Sequence, residues 1–216
     1  MARTKRTPRT KPDEKKSEAT RRHLLDRALV LFRERGVDAT TMRDIAKAAG
    51  LSLGAAYYYF PSKEALVFAH YEAHQDAMDA LAPAGTLRER LGEIFHGKLR
   101  IARDDRLLLV SILPRLIDPG DPLSAFSTQT RALRDRALAQ LAAQLTDLAP
   151  EPRALAASAL WIAQLGAMLL FVRDDTPDQR RTHQLVDDGL DLAVPLLPFI
   201  QHIKITDNIR SLLALT

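Results

Sequence analysis

The chain has 216 residues and no cysteine, with 31 Lys and Arg against 27 Asp and Glu and a mean hydropathy of −0.15. A chain of this length buries roughly 70% of its unfolded surface and needs no covalent staples, while the missing cysteines exclude disulfides and thiolate metal sites. The charge is uneven. Residues 1–70 carry 15 basic and 8 acidic side chains, and the remainder 16 and 19, so a polyanionic partner is expected at the N-terminal end.

In chain order, ARTKRTPRTKPDEKK lacks the apolar stretch of a secretory signal, and its prolines and DE pair argue against an amphipathic transit helix. Residues 1–16 are expected as a disordered basic arm. A first helix is expected from the cap Ser17 to Gly36, with Leu24, Leu25, Ala28, Leu29 and Phe32 as its apolar stripe. A second opens at Thr41-Met-Arg-Asp44, a hydroxyl cap with a carboxylate three residues on, and ends at Gly50. A third starts at Ser52 and is stopped by Pro61, and a fourth runs from Ser62 to about Leu81.

Longer helices follow. Thr86-Leu-Arg-Glu89 is another capping box, opening a helix to about Arg103. Asp104–Ile117 is apolar with a kink expected at Pro114. Asp121-Pro122 predicts a helix start reaching Leu148, and Thr176-Pro-Asp-Gln179 predicts one reaching Leu197. Between them lies Ala154–Val172, nineteen residues of which seven are Ala or Gly. Ser158 and Gln164 interrupt it, so it reads as a buried bundle helix rather than a membrane span. Residues 198–216 carry no firm signal. The fold class is all-α: residues 17–62 form a small helical head, and residues 63–216 a larger helical bundle. The expected location is the cytoplasm.

The head carries the functional signal. Two short helices crossing steeply need a small residue at closest approach, which Ala46 supplies. They also need one residue at positive φ in the turn, which Gly50 supplies without steric penalty. Ile45, Ala49, Leu51, Ala56 and Phe60 close the inner face. This is the helix-turn-helix pattern, whose second helix enters the DNA major groove, although an ordinary helical hairpin has the same local needs.

From His23 to Leu66 the sequence resembles the N-terminal domain of TetR-family (tetracycline-repressor-like) regulators. The resemblance rests on Gly36, Thr40-Thr41, Arg43-Asp44-Ile45-Ala46, Ala49-Gly50, Gly54, Tyr57, Phe60 and Lys63-Glu64-Ala65-Leu66. It implies a homodimer with two heads on a palindromic double-stranded DNA operator, released by a small-molecule effector in the C-terminal domain. It also implies that Ser52, Leu53, Gly54 and Ala55 open the recognition helix, that Tyr57 and Lys63 hold phosphates, and that Thr41 and Arg43 lie at the DNA-facing end of helix 2. Many members have Thr-Leu where this chain has Ala55-Ala56; Ala55 makes no hydrogen bond, but its methyl suits a thymine methyl.

Helical geometry sorts the run Tyr57-Tyr-Tyr-Phe60 independently of the family. With Ala56 facing the core, Phe60 lies about 40° from it and Tyr58 about 200° away, toward solvent or a groove. Tyr57 and Tyr59 flank at about +100° and −60°, where each phenol either reaches a phosphate or packs within the head. The arm's Arg3, Lys5, Arg6, Arg9, Lys11, Lys15 and Lys16 either follow DNA or remain a solvated tail.

His70 and His74 have metal-ligand spacing on helix 4, but no third ligand is nearby and they read as surface residues. No metal or cofactor is expected, because no Gly-rich phosphate loop, nucleophile elbow or acid–base set is evident. Asp104-Asp105, Asp174-Asp175 and Asp187-Asp188 read as helix-end or solvated pairs. For an effector pocket the candidates are Phe95, His96, Arg115, Trp161, Gln164, Met168 and Phe171, any of which is equally suited to plain core. The last two long helices match in position the family's dimer-forming pair, with Ala156, Ala159, Ala163, Gly166 and Ala167 allowing close approach. The alternatives are a DNA-binding regulator without a small-molecule effector, an activator or protein-controlled, and more remotely a helical enzyme.

Overall fold

The computed structural model describes residues 11–118 and 120–202, so the arm residues Arg3, Lys5, Arg6 and Arg9 and the tail beyond 202 lie outside the described residues. The described residues are helical, without strands, and the chain divides into two compact units at Leu66/Val67.

The first unit holds α1 (Lys11–Arg35), α2 (Met42–Ala48), α3 (Leu53–Tyr59) and the start of α4 (Lys63–Asp79). Residues 11–16 are already helical, ahead of the expected cap Ser17, rather than part of a disordered arm. Leu24, Ala28, Leu29 and Phe32 of α1 bury themselves against Ile45, Ala46, Ala56 and Phe60 in one small core. The guanidinium of Arg21 lies over the Phe60 ring, 4.6 Å from its centroid.

The second unit continues with α5 (Leu87–Ile101), α6 (Arg106–Ile117), α7 (Arg131–Ala142), α8 (Pro150–Phe171) and α9 (Arg180–Leu196), the last running on into a 3₁₀ turn at Leu197–His202. Its core gathers Leu91, Ile94, Leu99, Leu141, Trp161, Phe171, Val186 and Leu190, with α7 and α9 packed against α8 and α5 against α9. The helix α8 is long and apolar enough to cross a membrane by length and composition alone. One side of it, from Ala156 to Phe171, packs into this core as a bundle helix does.

Two expected helix starts are turns instead. Asp121-Pro122 opens a string of turns, and α7 begins only at Arg131 and ends at Ala142. The Asp121 carboxylate accepts from the Leu123 N–H at 2.8 Å and from Arg115 Nε at 2.7 Å. The Ser127 and Thr130 hydroxyls donate to the carbonyls of Pro122 and Ser124 at 2.9 and 2.7 Å, satisfying backbone locally without a helix. Short polar residues favour turns and caps alike, so the same Asp-Pro signal serves both.

The start of α9 differs too. Thr176-Pro-Asp-Gln179 forms a short 3₁₀ turn in which Asp178 and Gln179 have φ of 55° and 53°, and the helix proper begins at Arg180. The capping group is Asp174. Its buried carboxylate accepts from the N–H and hydroxyl of Thr176 at 3.0 and 2.6 Å and from those of Thr182 at 2.8 and 2.8 Å. Burial by itself raises the pKa of this carboxyl, but the four hydrogen bonds outweigh that and hold it well below the ordinary carboxylate range.

A carboxyl with a lowered folded pKa stabilises the fold above the ordinary carboxylate range, and that stabilisation is lost as pH falls toward the folded pKa. Asp174→Asn is therefore expected to lower the melting temperature by several degrees at pH 7, with the gap to the parent narrowing near pH 3. Thermal unfolding followed by circular dichroism at the two pH values checks this.

Candidate nucleic-acid interface and ligand cavity

In the first unit, α2 is held by the expected capping box. Asp44 N–H donates to the Thr41 hydroxyl oxygen at 3.1 Å, and the Asp44 carboxylate accepts from Thr41 N–H at 3.0 Å and from its hydroxyl at 2.7 Å. The hydroxyl hydrogen bond from Thr41 is the main reason the Asp44 pKa is lowered, with Arg35, 3.2 Å away, adding to it. Thr41 is thus a cap with both hydroxyl functions engaged. Arg43 and Lys47, one turn apart, stand exposed on the outer side of α2.

The turn into α3 has the geometry its residues dictate. Gly50 takes φ +65°, Leu51 N–H donates to the Ala46 carbonyl at 2.9 Å, and Ala46 is buried at the crossing. Ser52 then caps α3, its hydroxyl accepting from Ala55 N–H at 3.1 Å. Ala56 and Phe60 turn inward and are buried. The aromatic run divides as the angles require: Tyr58 is 70% exposed, Tyr57 49%, and Tyr59 is half-buried with its ring edge-on to Tyr58. Ser52 and Gly54 are exposed, and Leu53 and Ala55 half-buried, leaving the start of the helix without bulk.

Lys63, expected at a phosphate, is engaged within the head. Its ammonium donates to the carbonyls of Val37 and Asp38 at 2.7 and 3.3 Å, tying the α4 start to the α1–α2 turn. Sequence reasoning carried Lys63 over by resemblance and passed over Lys47, which α2 periodicity places on the same exposed side as Arg43.

In the second unit a cavity of about 160 Å³ opens among α4 to α8. Leu109, Leu116, Leu133, Trp161, Leu165 and Met168 give it an apolar wall, and Tyr71, His74, Lys98 and Arg134 a polar one. Of the seven expected pocket residues, Trp161 and Met168 line it. Arg115 stands in its ion pair with Asp121, and Gln164 is buried with its Nε2 lacking a hydrogen-bond partner. Phe95 packs in the core, Phe171 lies under the Arg106 guanidinium, and His96 bonds His183 and Asp187 at 2.7 and 3.0 Å. Asp187 is thus a partner within α9 rather than a helix-end residue.

Among the wall residues that sequence reasoning missed, three are polar groups of particular weight. The Tyr71 hydroxyl is buried without a hydrogen-bond partner, and burial pushes its phenol pKa up. Arg134 is buried, donating to the Ala125 carbonyl at 2.9 Å while its Nε has no partner. Lys98 keeps some accessible area because it faces the cavity, yet protein surrounds it, and that burial pushes its ammonium pKa down while Asp79 pulls it up. A signal for Lys98 existed: it stands seven residues after Leu91 and four after Ile94, on the core face of α5.

The expected dimer residues separate by burial. Ala156 and Ala167 are buried in the monomer's own core, whereas Ala159 and Ala163 are exposed and Gly166 half-exposed. Around these three, Ile162, Leu169 and Leu170 of α8 and Leu185, Leu192 and Leu196 of α9 present apolar side chains to solvent.

His70 and His74 are drawn inward rather than lying on the surface. Both Nε2 atoms approach Oδ2 of Asp105, at 2.9 and 2.8 Å. Asp105 stands at the start of α6, as a helix-end residue, but its carboxylate is a buried acceptor rather than a solvated one.

A helix-turn-helix head joined to a cavity-bearing helical bundle defines the class of helical transcription regulators, and comparison with known proteins agrees. Residues 24–70 match the family described as bacterial regulatory proteins, tetR family. The chain is 32% identical over 179 residues to an HTH-type transcriptional regulator of Mycobacterium tuberculosis, MT1294, covering 77% of this chain and 82% of that one. The chain belongs to the TetR family. It is also 49% identical over 61 residues to the transcriptional repressor KstR2 of Rhodococcus jostii, but that match spans only 28% of this chain and 30% of KstR2. A match to the regulator AcrR of Shigella flexneri likewise spans 49% of that protein. Among solved structures, a tetR-family transcriptional regulator from Streptomyces coelicolor superposes with a TM-score of 0.61 at 25% identity, over 91% of this chain and 87% of that one. These relatives are named as regulators, not as enzymes.

The Gly50 turn carries a direct prediction. A Cβ there meets nothing within 4 Å, so the cost of substitution is backbone strain rather than collision. Gly50→Val is expected to destabilise the head by about 1–2 kcal/mol. Gly50→Asn is expected to cost less, because Asn tolerates the left-handed region. Urea denaturation of the two variants beside the parent checks the order.

Proposed function

We propose that the protein is a homodimeric transcriptional repressor of the cytoplasm that binds a palindromic double-stranded DNA operator and releases it when a small molecule fills the α4–α8 cavity. The observation that carries the reading is the division of labour on α3. Ala56 and Phe60 are buried, while Tyr57 and Tyr58 stand exposed on a helix anchored by the Gly50 turn. A groove-reading helix presents large side chains outward in this way.

The roles follow from direction. Tyr58 faces the groove floor, where its ring and hydroxyl meet base edges. Tyr57 and the Ser52–Ala55 start of α3 meet phosphates, with Arg43 and Lys47 of α2 alongside. Tyr59 packs partly on Tyr58 and steadies it. Lys63 acts as a strut of the head rather than as a phosphate ligand. The second copy covers the exposed apolar side of α8 and α9 around Ala159, Ala163 and Gly166, a face that water solvates poorly.

The cavity supports an effector of defined chemistry. Its volume of about 160 Å³ suits a compact molecule near the size of a substituted benzene ring. The apolar wall takes that body. Lys98 and Arg134 offer only donors and the Tyr71 hydroxyl can donate as well, so the ligand carries an acceptor group, best a carboxylate.

Selection from a random duplex library tests the reading: an inverted repeat with half-sites about one helical turn, 34–36 Å, apart is the expected product, and no enrichment overturns it. On the selected duplex, Tyr58→Ala is expected to lose about 1–3 kcal/mol of discrimination at particular base pairs. Tyr57→Phe is expected to weaken all sequences alike, by about 1 kcal/mol. Fluorescence anisotropy across single-base operator variants separates the two patterns.

A second prediction concerns the cavity. Lys98→Met removes a buried cation without leaving a void. It is expected to keep or raise the melting temperature while abolishing operator release by carboxylate ligands. Thermal melts and release assays with a panel of aromatic and short aliphatic acids check both halves.

A further inference from the structure

We propose that His70, His74 and Asp105 form a binding site for one divalent transition metal ion, with zinc as the fitting occupant. Neither the DNA contacts nor the effector cavity is needed for this inference, which rests on the convergence of three ligand groups.

The two histidines stand one turn apart on α4, so their rings share a face, and their centroids lie 4.2 Å apart. Glu72, between them in sequence, is exposed on another side of the helix. The third group comes from far along the chain: Asp105 ends the short 3₁₀ turn Arg103–Asp105 that precedes α6. No local sequence rule brings a residue more than thirty positions away onto the histidine face; the fold does.

The geometry is that of ligands around a common point. The Nε2 atoms of His70 and His74 lie 2.9 and 2.8 Å from the same oxygen, Oδ2 of Asp105, and the three donor atoms lie within 4.8 Å of one another. Neighbouring ligand atoms on an ion with bonds of about 2.1 Å sit about 3.0 Å apart in an octahedron and about 3.4 Å apart in a tetrahedron. Opening the cluster by a few tenths of an ångström admits the ion. The site is also enclosed: His70 is 7% exposed and Asp105 2%.

The donor set decides the metal class. Two imidazole nitrogens and one carboxylate oxygen suit zinc, cobalt(II) and nickel(II) rather than calcium or magnesium, which take oxygen ligands. Three protein ligands leave at least one coordination position for water or another donor. A hydrogen-bonded triad accounts for the same distances, with both imidazoles donating N–H to the carboxylate. Only a metal-holding arrangement takes up cobalt(II) saturably, so titration separates the two.

The test uses the full chain stripped with chelator and dialysed metal-free, titrated with cobalt(II) and followed by its visible d–d absorption. The expected result is saturable uptake of one ion per chain, displaced by zinc, with a melting temperature that rises on metal addition. His74→Ala is expected to weaken uptake by more than the roughly 10–100-fold loss typical of removing an outer-shell partner. Asp105→Asn, which keeps size and an acceptor oxygen, is expected to weaken it as well while circular dichroism shows the parent fold. No saturable uptake by the parent chain overturns the proposal, whatever the variants do. Uptake that survives both substitutions assigns the ion to another group and overturns it equally. If one variant fails to fold, the other decides the assignment. If both fail, His70→Gln replaces them, and parental uptake in that variant overturns the proposal.

Discussion

The functional half of the molecule hangs on a single backbone torsion. With Gly50 in the left-handed region the chain turns from α2 into α3 over Ala49–Ser52, and the Ala46 carbonyl can accept from Leu51 N–H across the corner. That turn fixes the axial rotation of α3, because Ala56 and Phe60 must then face the core formed by α1 and α2. Rotation of a short helix is all that determines which of its side chains are presented. Once Ala56 is inward, Tyr58 has nowhere to point but outward. Small residues do the enabling at every step: Ala46 lets the axes approach, and Gly54 and Ala55 keep the start of α3 low.

The second unit sets buried polar groups beside its apolar core. Asp174 is saturated by Thr176 and Thr182 and shapes the approach to α9. By contrast the cavity wall leaves the Tyr71 hydroxyl and the Arg134 Nε without partners. A saturated group stabilises; an unsatisfied donor costs stability until a ligand supplies its acceptor. The difference separates scaffold from binding surface within one bundle.

Much of the head was legible in the sequence. Its capping box, its positive-φ glycine and the 100° step between successive aromatics are local rules, so Thr41, Gly50 and the sides taken by Tyr57, Tyr58 and Phe60 follow from spacing. What the sequence hid is non-local. Lys63 matches a phosphate ligand by resemblance, but the carbonyls that take its ammonium, at Val37 and Asp38, lie about 25 positions earlier. Asp105 reads as half of a solvated pair until the fold brings it to His70 and His74. Asp121-Pro122 and Thr176-Pro177 failed for another reason: residues that cap helices also close turns, and only the hydroxyls of Ser127, Thr130 and Thr182 decide between them. The pocket was visible only through Trp161 and Met168, because Tyr71, Lys98 and Arg134 reach it from three different helices that no local spacing connects.

The absence of any native cysteine permits a direct test of where α3 goes on DNA. A single cysteine placed at Tyr58 can carry an iron–EDTA group, and the labelled protein can be bound to its selected duplex and triggered to cleave. The account predicts two discrete cleavage clusters related by the duplex symmetry axis, about 34–36 Å apart. Cleavage spread evenly along the duplex, or none while the labelled protein remains bound, would contradict it, because the helix fixed by Gly50 would then not be the one that reads DNA.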